Sequence, residues 1–431
     1  MSGRLQPFQA TESRVRPWRD PLAAAAGLRH RDGALALLSD GGPLGRWSFV
    51  AAEPDWTGGE GGLDQLRDPA LSRGVVGLYA YDAGARPATG PRPPVWPDLM
   101  LARYPAMLAF DHAARTVTVA GRGPDAAAAA TAADRAEAWL VQAADPGAPP
   151  PPAPEMRPEA APEAYLAAVA DVVARIAAGE LFQANIARAW SGVLNPGADP
   201  FDIMLRLAGR AAAYGAFWRL GDRALVSNSP ELFLTFDPAG GRIETRPIKG
   251  TRPRHPDPAR DAALAAELQA SAKDRAENLM IVDLMRNDLA RVSAVGSVRV
   301  PELAGLESFA SVHHLVSAVT ARLRPGVGPV DLLRAAFPGG SVTGAPKVRA
   351  MEIIDEMEES RRGAYCGSVV WIGFDGAMDS SIVIRTLSLT PDAVVAQAGG
   401  GIVADSDPAA EWEEMLVKIR PLLAVLGGYG E

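Results

Sequence analysis

The sequence is short of cysteine, of basic charge and of long apolar runs. A single cysteine, Cys366, stands among 431 residues. It can close no internal disulfide and assemble no multi-thiolate metal site, which fits a reducing compartment. The 43 Lys and Arg are outnumbered by 51 Asp and Glu, and the formal charge is −8. Nucleic acid is therefore a poor candidate for the main partner. No apolar run approaches the length of a membrane span, and the opening Met1-Ser-Gly-Arg-Leu-Gln-Pro7 has no apolar h-region. The expectation is a cytoplasmic protein. What is present is ordinary for a globular chain: 48% hydrophobic and 22% charged residues, with length enough for a large core.

Short apolar runs broken by turns predict strands at 34–38, 47–51, 74–80 and 116–120. Residues 125–140 are alanine-rich and predict a helix. Seven prolines between Pro146 and Pro158 make 145–162 a low-complexity connector. Beyond it, Leu166, Val169, Val173 and Ile176 recur at helical spacing ahead of a capping Gly179. Further helices are predicted at 257–269, 274–289, 329–336, 346–358 and 408–423. Between the last two, 368–374 and 380–387 read as a hairpin across Asp375-Gly376. A third strand, 393–398, ends in Gly399, Gly400 and Gly401. Strands mixed with helices, without regular βαβ alternation, predict a mixed α/β or α+β fold with largely antiparallel sheets.

Lys249 stands at the predicted junction of strand 241–247 with a loop. Arg246, Arg252 and Arg254 crowd it with like charge, which works against an ammonium there. A neutral amine is a nucleophile or a base. A solvated strand-end lysine is the other reading. Glu411, Glu414 and Lys418 share one face of the last helix, as an exposed Glu414–Lys418 pair or as ligand groups. The three glycines before that helix would expose backbone N–H groups to a ligand.

Helix 274–289 is apolar at its centre yet carries Glu277, Asp283, Arg286, Asn287 and Asp288. A helix so apolar is expected to be buried, and buried carboxylates need a cation or a metal. Glu277 with Glu414 would suit Mg²⁺; pairing with Arg275 or Arg286 is the alternative. Arg385 interrupts an apolar strand and is either paired at a sheet edge or offers a fork to a carboxylate. His314 reads first as a core histidine. Glu231 opens the strands leading to Lys249, so a hairpin would bring its carboxyl near that amine. The segment Gly339 to Lys347 lacks the Gly-Lys-Ser/Thr ending of a phosphate loop. Cys366 has no base signature nearby and reads as a packed thiol. Together the candidates suit a small polyanion, a dicarboxylate.

In their order along the chain these blocks resemble the chorismate-utilising enzymes, and most closely the aminodeoxychorismate synthase branch. The resemblance spans 162–421. It rests on Gly179-Glu-Leu-Phe-Gln-Ala-Asn185, Ser229-Pro-Glu231, Pro247-Ile-Lys-Gly-Thr251 and Glu277-Asn-Leu-Met-Ile-Val-Asp283 with Arg286-Asn-Asp288. His314-Leu-Val-Ser317, Phe337-Pro-Gly-Gly-Ser-Val-Thr-Gly-Ala-Pro-Lys347, Ile384-Arg-Thr386 and Gly399-Gly-Gly-Ile-Val-Ala-Asp405, with Glu411 and Glu414, complete it. Gly45-Arg-Trp-Ser48 and Gly77-Leu-Tyr-Ala-Tyr-Asp82 fit the family's β-rich start.

The resemblance implies one αββα sandwich of two mainly antiparallel sheets flanked by helices. Residues 1–144 and 163–431 would belong to the same domain, on either side of the connector 145–162. Members that add water carry a lysine where this chain has Gln183, and anthranilate-forming members carry alanine where it has Lys249. The implied reaction joins chorismate and ammonia into 4-amino-4-deoxychorismate, for p-aminobenzoate and folate. Lys249 would attack the ring, and Glu231 would act as the acid. Thr251, His314, Tyr365, Arg385, Lys418, Gly399, Gly400 and Gly401 would hold the substrate, and Glu277, Glu411 and Glu414 would hold Mg²⁺. Ammonia is implied to come from a glutamine amidotransferase subunit. Tryptophan, which some relatives hold in the N-terminal sheet, stays open, because Leu37-Leu-Ser-Asp40 departs from their Leu-Leu-Glu-Ser. An anthranilate synthase large subunit and a non-catalytic chorismate-binding regulator remain the alternatives.

Overall fold

The computed structural model describes residues 5–42, 45–143, 147, 149–152, 155–208, 212–309 and 312–427. Of the proline-rich connector, 145, 146, 148, 153 and 154 lie outside the described residues.

Two sheets carry the fold. The larger runs, in spatial order, through Ala10–Pro17, Thr116–Gly123, Ala106–Asp111, Trp47–Ala51, Leu35–Leu38, Tyr214–Leu220, Arg223–Ser229, Thr386–Leu389, Val394–Ile402, Gln183–Gly192 and Gly344–Ala345. The second runs through Ile248–Pro253, Val312–Arg322, Arg242–Thr245, Leu232–Asp237, Met378–Ile382, Ser368–Ile372, Val75–Tyr79, Leu99–Arg103 and Trp56–Gly58. Neighbouring strands pair antiparallel throughout. Each sheet draws strands from both ends of the chain.

The apolar residues sort into three layers. Leu35, Val76, Leu78, Met100, Met107, Trp218, Leu225 and Val369 fill the space between the sheets. There the Trp218 indole donates to the Tyr104 hydroxyl at 2.8 Å, which donates to the Gly33 carbonyl at 2.8 Å. Both polar atoms are thereby satisfied in an apolar layer, at a net gain of about 1 kcal/mol each. A second cluster joins the larger sheet to its helices through Trp139, Val169, Phe201, Ile353 and Leu423. A third seats Ile281, Met285, Leu332 and Leu333 on the other sheet. No described helix is long and apolar enough to cross a membrane.

Local chemistry starts the two helices that matter for the site. Ser271 caps Ala272–Ala290 by accepting from the Asp274 N–H, and Asp407 caps Pro408–Leu426 by accepting from the Ala410 N–H. Pro408 sits at the first helical position, where its missing N–H costs nothing, and Gly427 ends the helix at φ 115°.

The structure departs from the sequence expectations at four places. The predicted strand 380–387 is two strands: Met378–Ile382 lies in one sheet and Thr386–Leu389 in the other. Arg385, at φ 53°, is the turning residue between them rather than a mid-strand arginine. Helix Ala272–Ala290 is half exposed: Asp283 and Arg286 pair with each other at 2.6 Å on its open face. Asp288 is the buried carboxylate, and Lys347 neutralises it at 2.5 Å. The triple glycine does not follow a strand; it is the end of one, Val394–Ile402. Lys249 is the second residue of Ile248–Pro253, inside a strand and next to a bulge.

Candidate functional site

The bulge that follows Lys249 requires its glycine. Gly250 has φ 78°, and a Cβ there would stand 2.9 Å from a Leu268 methyl and 3.0 Å from the Asp274 Cβ. The kink lets Lys249 pair opposite Leu315 while Thr251 pairs opposite His314. The arginines expected to crowd the lysine are committed elsewhere. Arg246 pairs with Glu244 and Glu307, Arg252 with Glu267 and Arg254 with Asp261. Among the described residues the Lys249 side chain makes no hydrogen bond or ion pair. Its Nζ lies 3.0 Å from where a Gly401 Cβ would stand. The charges it faces are acidic, since its field acts on Glu231, Glu277 and Glu414. The like-charge argument from sequence thus fails, because each arginine has found a carboxylate of its own.

Glu231 is 7% exposed, just ahead of Leu232–Asp237. Its backbone is fixed by the Ser229 hydroxyl on its N–H and the Ile382 N–H on its carbonyl. Burial pushes the carboxyl up to about 7, with the Ser341 hydroxyl and Lys249 pulling the other way. A carboxyl poised there gives a proton readily near neutrality.

The last helix delivers three side chains to the glycine strand. A Cβ on Gly400 would lie 3.2 Å from the Glu411 Oε2, 3.7 Å from the Lys418 Nζ and 3.9 Å from the Glu414 Oε1. The absence of side chains on the strand is what allows this approach. Lys418 donates to the Gly399 carbonyl at 2.9 Å and pairs with Glu414 at 2.8 Å. Glu411 is buried, accepts from the Ser406 hydroxyl at 2.7 Å and lies 3.6 Å from the Lys273 ammonium. The Glu277 carboxyl has no hydrogen bond or ion pair among the described residues. Burial raises its carboxyl, and Asp274 and Glu414 add to the rise.

No group of three acidic, histidine or cysteine side chains forms a ready metal cage among the described residues. Two carboxylates in each other's field, Glu277 unpaired and Glu414 beside it, do suit a cation that keeps waters and substrate oxygens. Gly399 and Gly401 stand in register opposite Ala187 and Asn185, whose N–H groups bond instead to Glu358 and to the Thr343 carbonyl on the far edge. The two glycines are therefore at non-hydrogen-bonded positions of that strand pair, and their N–H groups point away from it.

Arg385 is half-buried and forms no side-chain hydrogen bond or ion pair among the described residues, so its fork is free. Tyr365, itself buried, and His314 lie within its field. His314 is buried, its Nδ1 lies 2.8 Å from the Thr251 hydroxyl, and burial pushes its imidazole down to about 4. It is a neutral hydrogen-bonding group at working pH. Cys366 is fully buried, and burial lifts its thiol to about 12, which leaves it inert.

The acids, the two lysines and the glycine strand therefore converge, and Arg385, His314, Thr251 and Tyr365 form a second group. Gln183 belongs with the first group. It is 0% exposed, both its amide atoms lack partners, and its Nε2 lies 3.0 Å from the same Gly401 Cβ position as Lys249. As a polar residue in an apolar strand, it carried a sequence signal; its aim into the site did not.

A family model described as chorismate binding enzyme matches residues 54–424. The chain is 44% identical over 364 residues to aminodeoxychorismate synthase component 1 of Salmonella typhimurium, covering 83% of this chain and 78% of that protein. It is 43% identical over 365 residues to the Escherichia coli protein of the same name, with the same coverage. Anthranilate synthase component 1 of Streptomyces coelicolor is 39% identical over 445 residues, covering 94% of this chain and 86% of its own. Among solved structures, anthranilate synthase component I of Streptococcus pneumoniae superposes with a TM-score of 0.74 at 26% identity, over 98% of this chain and 94% of that one.

Proposed function

The chain belongs to the chorismate binding enzyme family, and from that premise we propose that it converts chorismate and ammonia to 4-amino-4-deoxychorismate. One observation carries the choice of reaction: an unpaired, half-buried primary amine, Lys249, stands over the glycine strand with a poised acid, Glu231, within its field.

The Lys249 nitrogen attacks C2 of the ring, the ring double bond shifts, and the C4 oxygen leaves as water with the proton of Glu231. Ammonia then bonds to C4 and the double bond shifts back. The C2–N bond breaks, freeing Lys249, and Glu231 takes the proton that ammonia sheds. The acid step is worth about 10²–10⁴-fold in rate. Arg385 offers its fork to one substrate carboxylate, with Tyr365, His314 and Thr251 lining the approach. Glu277 and Glu414, with Glu411 beside them, would hold Mg²⁺, which when bound would neutralise these acids and anchor the other carboxylate. Lys418 acts less as a substrate group than the sequence implied, since Gly399 and Glu414 already engage it.

Cys366, sealed and inert, cannot serve as a glutaminase nucleophile. A separate glutamine amidotransferase subunit as the ammonia source agrees with the name component 1 carried by the relatives. The test is direct. Lys249→Ala should make no aminodeoxychorismate from chorismate and ammonium salt, read by mass spectrometry; unchanged turnover would rule out the covalent route. Anthranilate in the wild-type reaction, read by fluorescence, would overturn the product assignment.

A further inference from the structure

The strand that backs the substrate-binding glycines has an unfinished outer edge. Gln183–Gly192 pairs on that side with Gly344–Ala345 at residues 183 and 184, and with Arg157–Pro158 at residues 190 and 191. No described strand covers the stretch between. A buried ion pair fills the gap. Glu358 accepts from the Ala187 N–H at 2.8 Å, and Arg362 donates to the Asn185 carbonyl at 2.7 Å. The pair is closed by Arg362 hydrogen bonds of 2.9 and 2.7 Å to the two Glu358 oxygens. Ala187 and Asn185 are the residues registered opposite Gly399 and Gly401.

Arg362 reaches two other parts of the site, one through its guanidinium and one through its backbone. Its Nη1 donates to the Val342 carbonyl at 2.7 Å, next to Ser341, whose hydroxyl faces Glu231. The Arg362 carbonyl accepts from the Tyr365 N–H at 2.9 Å. With 4% exposure and its plane over the Tyr81 ring at 4.5 Å, the side chain has little freedom to move.

We propose that Arg362, held by Glu358, is a positioning residue that sets the glycine strand and the support of Glu231 in register with each other. This rests on the function proposed above. The fork geometry is the reason arginine is needed: three carbonyl and carboxylate directions must be met at once, which a lysine ammonium cannot do in one plane. Misplacement of reacting groups by about 1 Å costs about 10²-fold in rate. Arg362 touches no substrate; its effect passes through Val342 and Ser341 to the acid, and through Asn185 to Gly401.

The test is steady-state kinetics on full-length Arg362→Lys, Arg362→Ala and Glu358→Gln beside wild type, with thermal unfolding on each. Arg362 lines an open cavity of about 120 Å³ with Tyr81, Asp82 and Arg361, so added guanidinium can reach the gap left by alanine. The expected result is a fall in kcat of about 10–100-fold for Arg362→Lys with a melting temperature close to wild type. Chorismate KM should rise, and guanidinium should saturably restore Arg362→Ala. Glu358→Gln, which keeps an acceptor for Ala187, should lose less than either.

The alkaline limb of kcat/KM should also move in Arg362→Lys. Glu231 faces Ser341, Lys249 and Cys366, and loss of the Ser341 contact raises its carboxyl. A fall in activity that only tracks the folded fraction, with no guanidinium recovery and no shift of the limb, overturns the proposal. Wild-type kcat and KM in Arg362→Lys overturn it too. Should both Arg362 variants fail to fold, Glu358→Gln decides by the same limb: a shift supports the role and an unmoved profile overturns it. If wild type itself makes no aminodeoxychorismate, the functional reading fails instead, a distinct outcome.

Discussion

At the scale of single residues, the site depends on who has a partner. Arg246, Arg252 and Arg254 each hold a carboxylate, whereas Lys249, Arg385 and Glu277 hold none among the described residues. Side chains left free in a protein where pairing is general are the ones available to a ligand. Glu231 shows the cost of that availability. Its carboxyl, raised to about 7, is above its unfolded value, so its contribution to stability is fully present below the unfolded pKa. That contribution is lost as pH rises through the folded value. At pH 8 the buried carboxylate opposes folding by about 3 kcal/mol. Glu231→Gln is therefore expected to unfold at higher temperature than wild type at pH 8, and at nearly the same temperature at pH 4, while turnover is lost. Equal melting curves at both pH values would remove the basis for a perturbed acid. In the wild type, kcat/KM for chorismate at constant free ammonia should fall as pH rises through about 7, because the proposed acid, Glu231, must carry its proton.

At the scale of elements, the glycine strand shows how neighbouring glycines serve different ends. On Gly399 a Cβ would stand 2.2 Å from the Ile186 carbonyl oxygen and 2.7 Å from the Ala187 Cα, both backbone atoms. On Gly401 it would stand 3.0 Å from the Gln183 and Lys249 side-chain ends, which can swing aside. Gly399→Ala should thus separate the strands and cost about 2–4 kcal/mol in denaturant unfolding. Gly401→Ala should fold normally and lose about a hundredfold in turnover, since what swings aside is the proposed nucleophile. Similar stability losses in both would contradict the assignment of backbone to one and site to the other. The turning point at Arg385 belongs to this scale as well. A residue at φ 53° between strands of different sheets aims its guanidinium where no regular strand position would, into the group with Tyr365 and His314.

At the scale of the whole molecule, both sheets combine strands from before residue 124 with strands from after residue 182. Neither stretch completes a sheet alone, so a single calorimetric unfolding transition is expected; two resolved transitions would argue for separable domains. The proposed magnesium dependence is a whole-site property of the same kind, because Glu277 and Glu414 come from two helices, Ala272–Ala290 and Pro408–Leu426, far apart in sequence. Chelation should abolish turnover, added Mg²⁺ should restore it, and Glu277→Gln should need far more Mg²⁺ for the same rate. Full turnover in chelator would remove the metal from the scheme.

Much of this was legible in the order of residues. The helix ahead of Gly179 was marked by its apolar spacing and cap, the helices 257–269, 274–289, 329–336 and 408–423 stand close to where the sequence predicts them, and the motif blocks pointed to the family and its substrate. Local patterns carry such information because a cap, a turn or a helical stripe involves residues a few positions apart. Long-range matters were decided only by the folded chain. The Arg246–Glu307 pair, the passage of strand 380–387 from one sheet to the other, and the sealing of Asn185 and Ala187 by Arg362 and Glu358 join residues far apart in sequence. Their energies come from packing and charge pairing between distant segments, for which no local pattern stands.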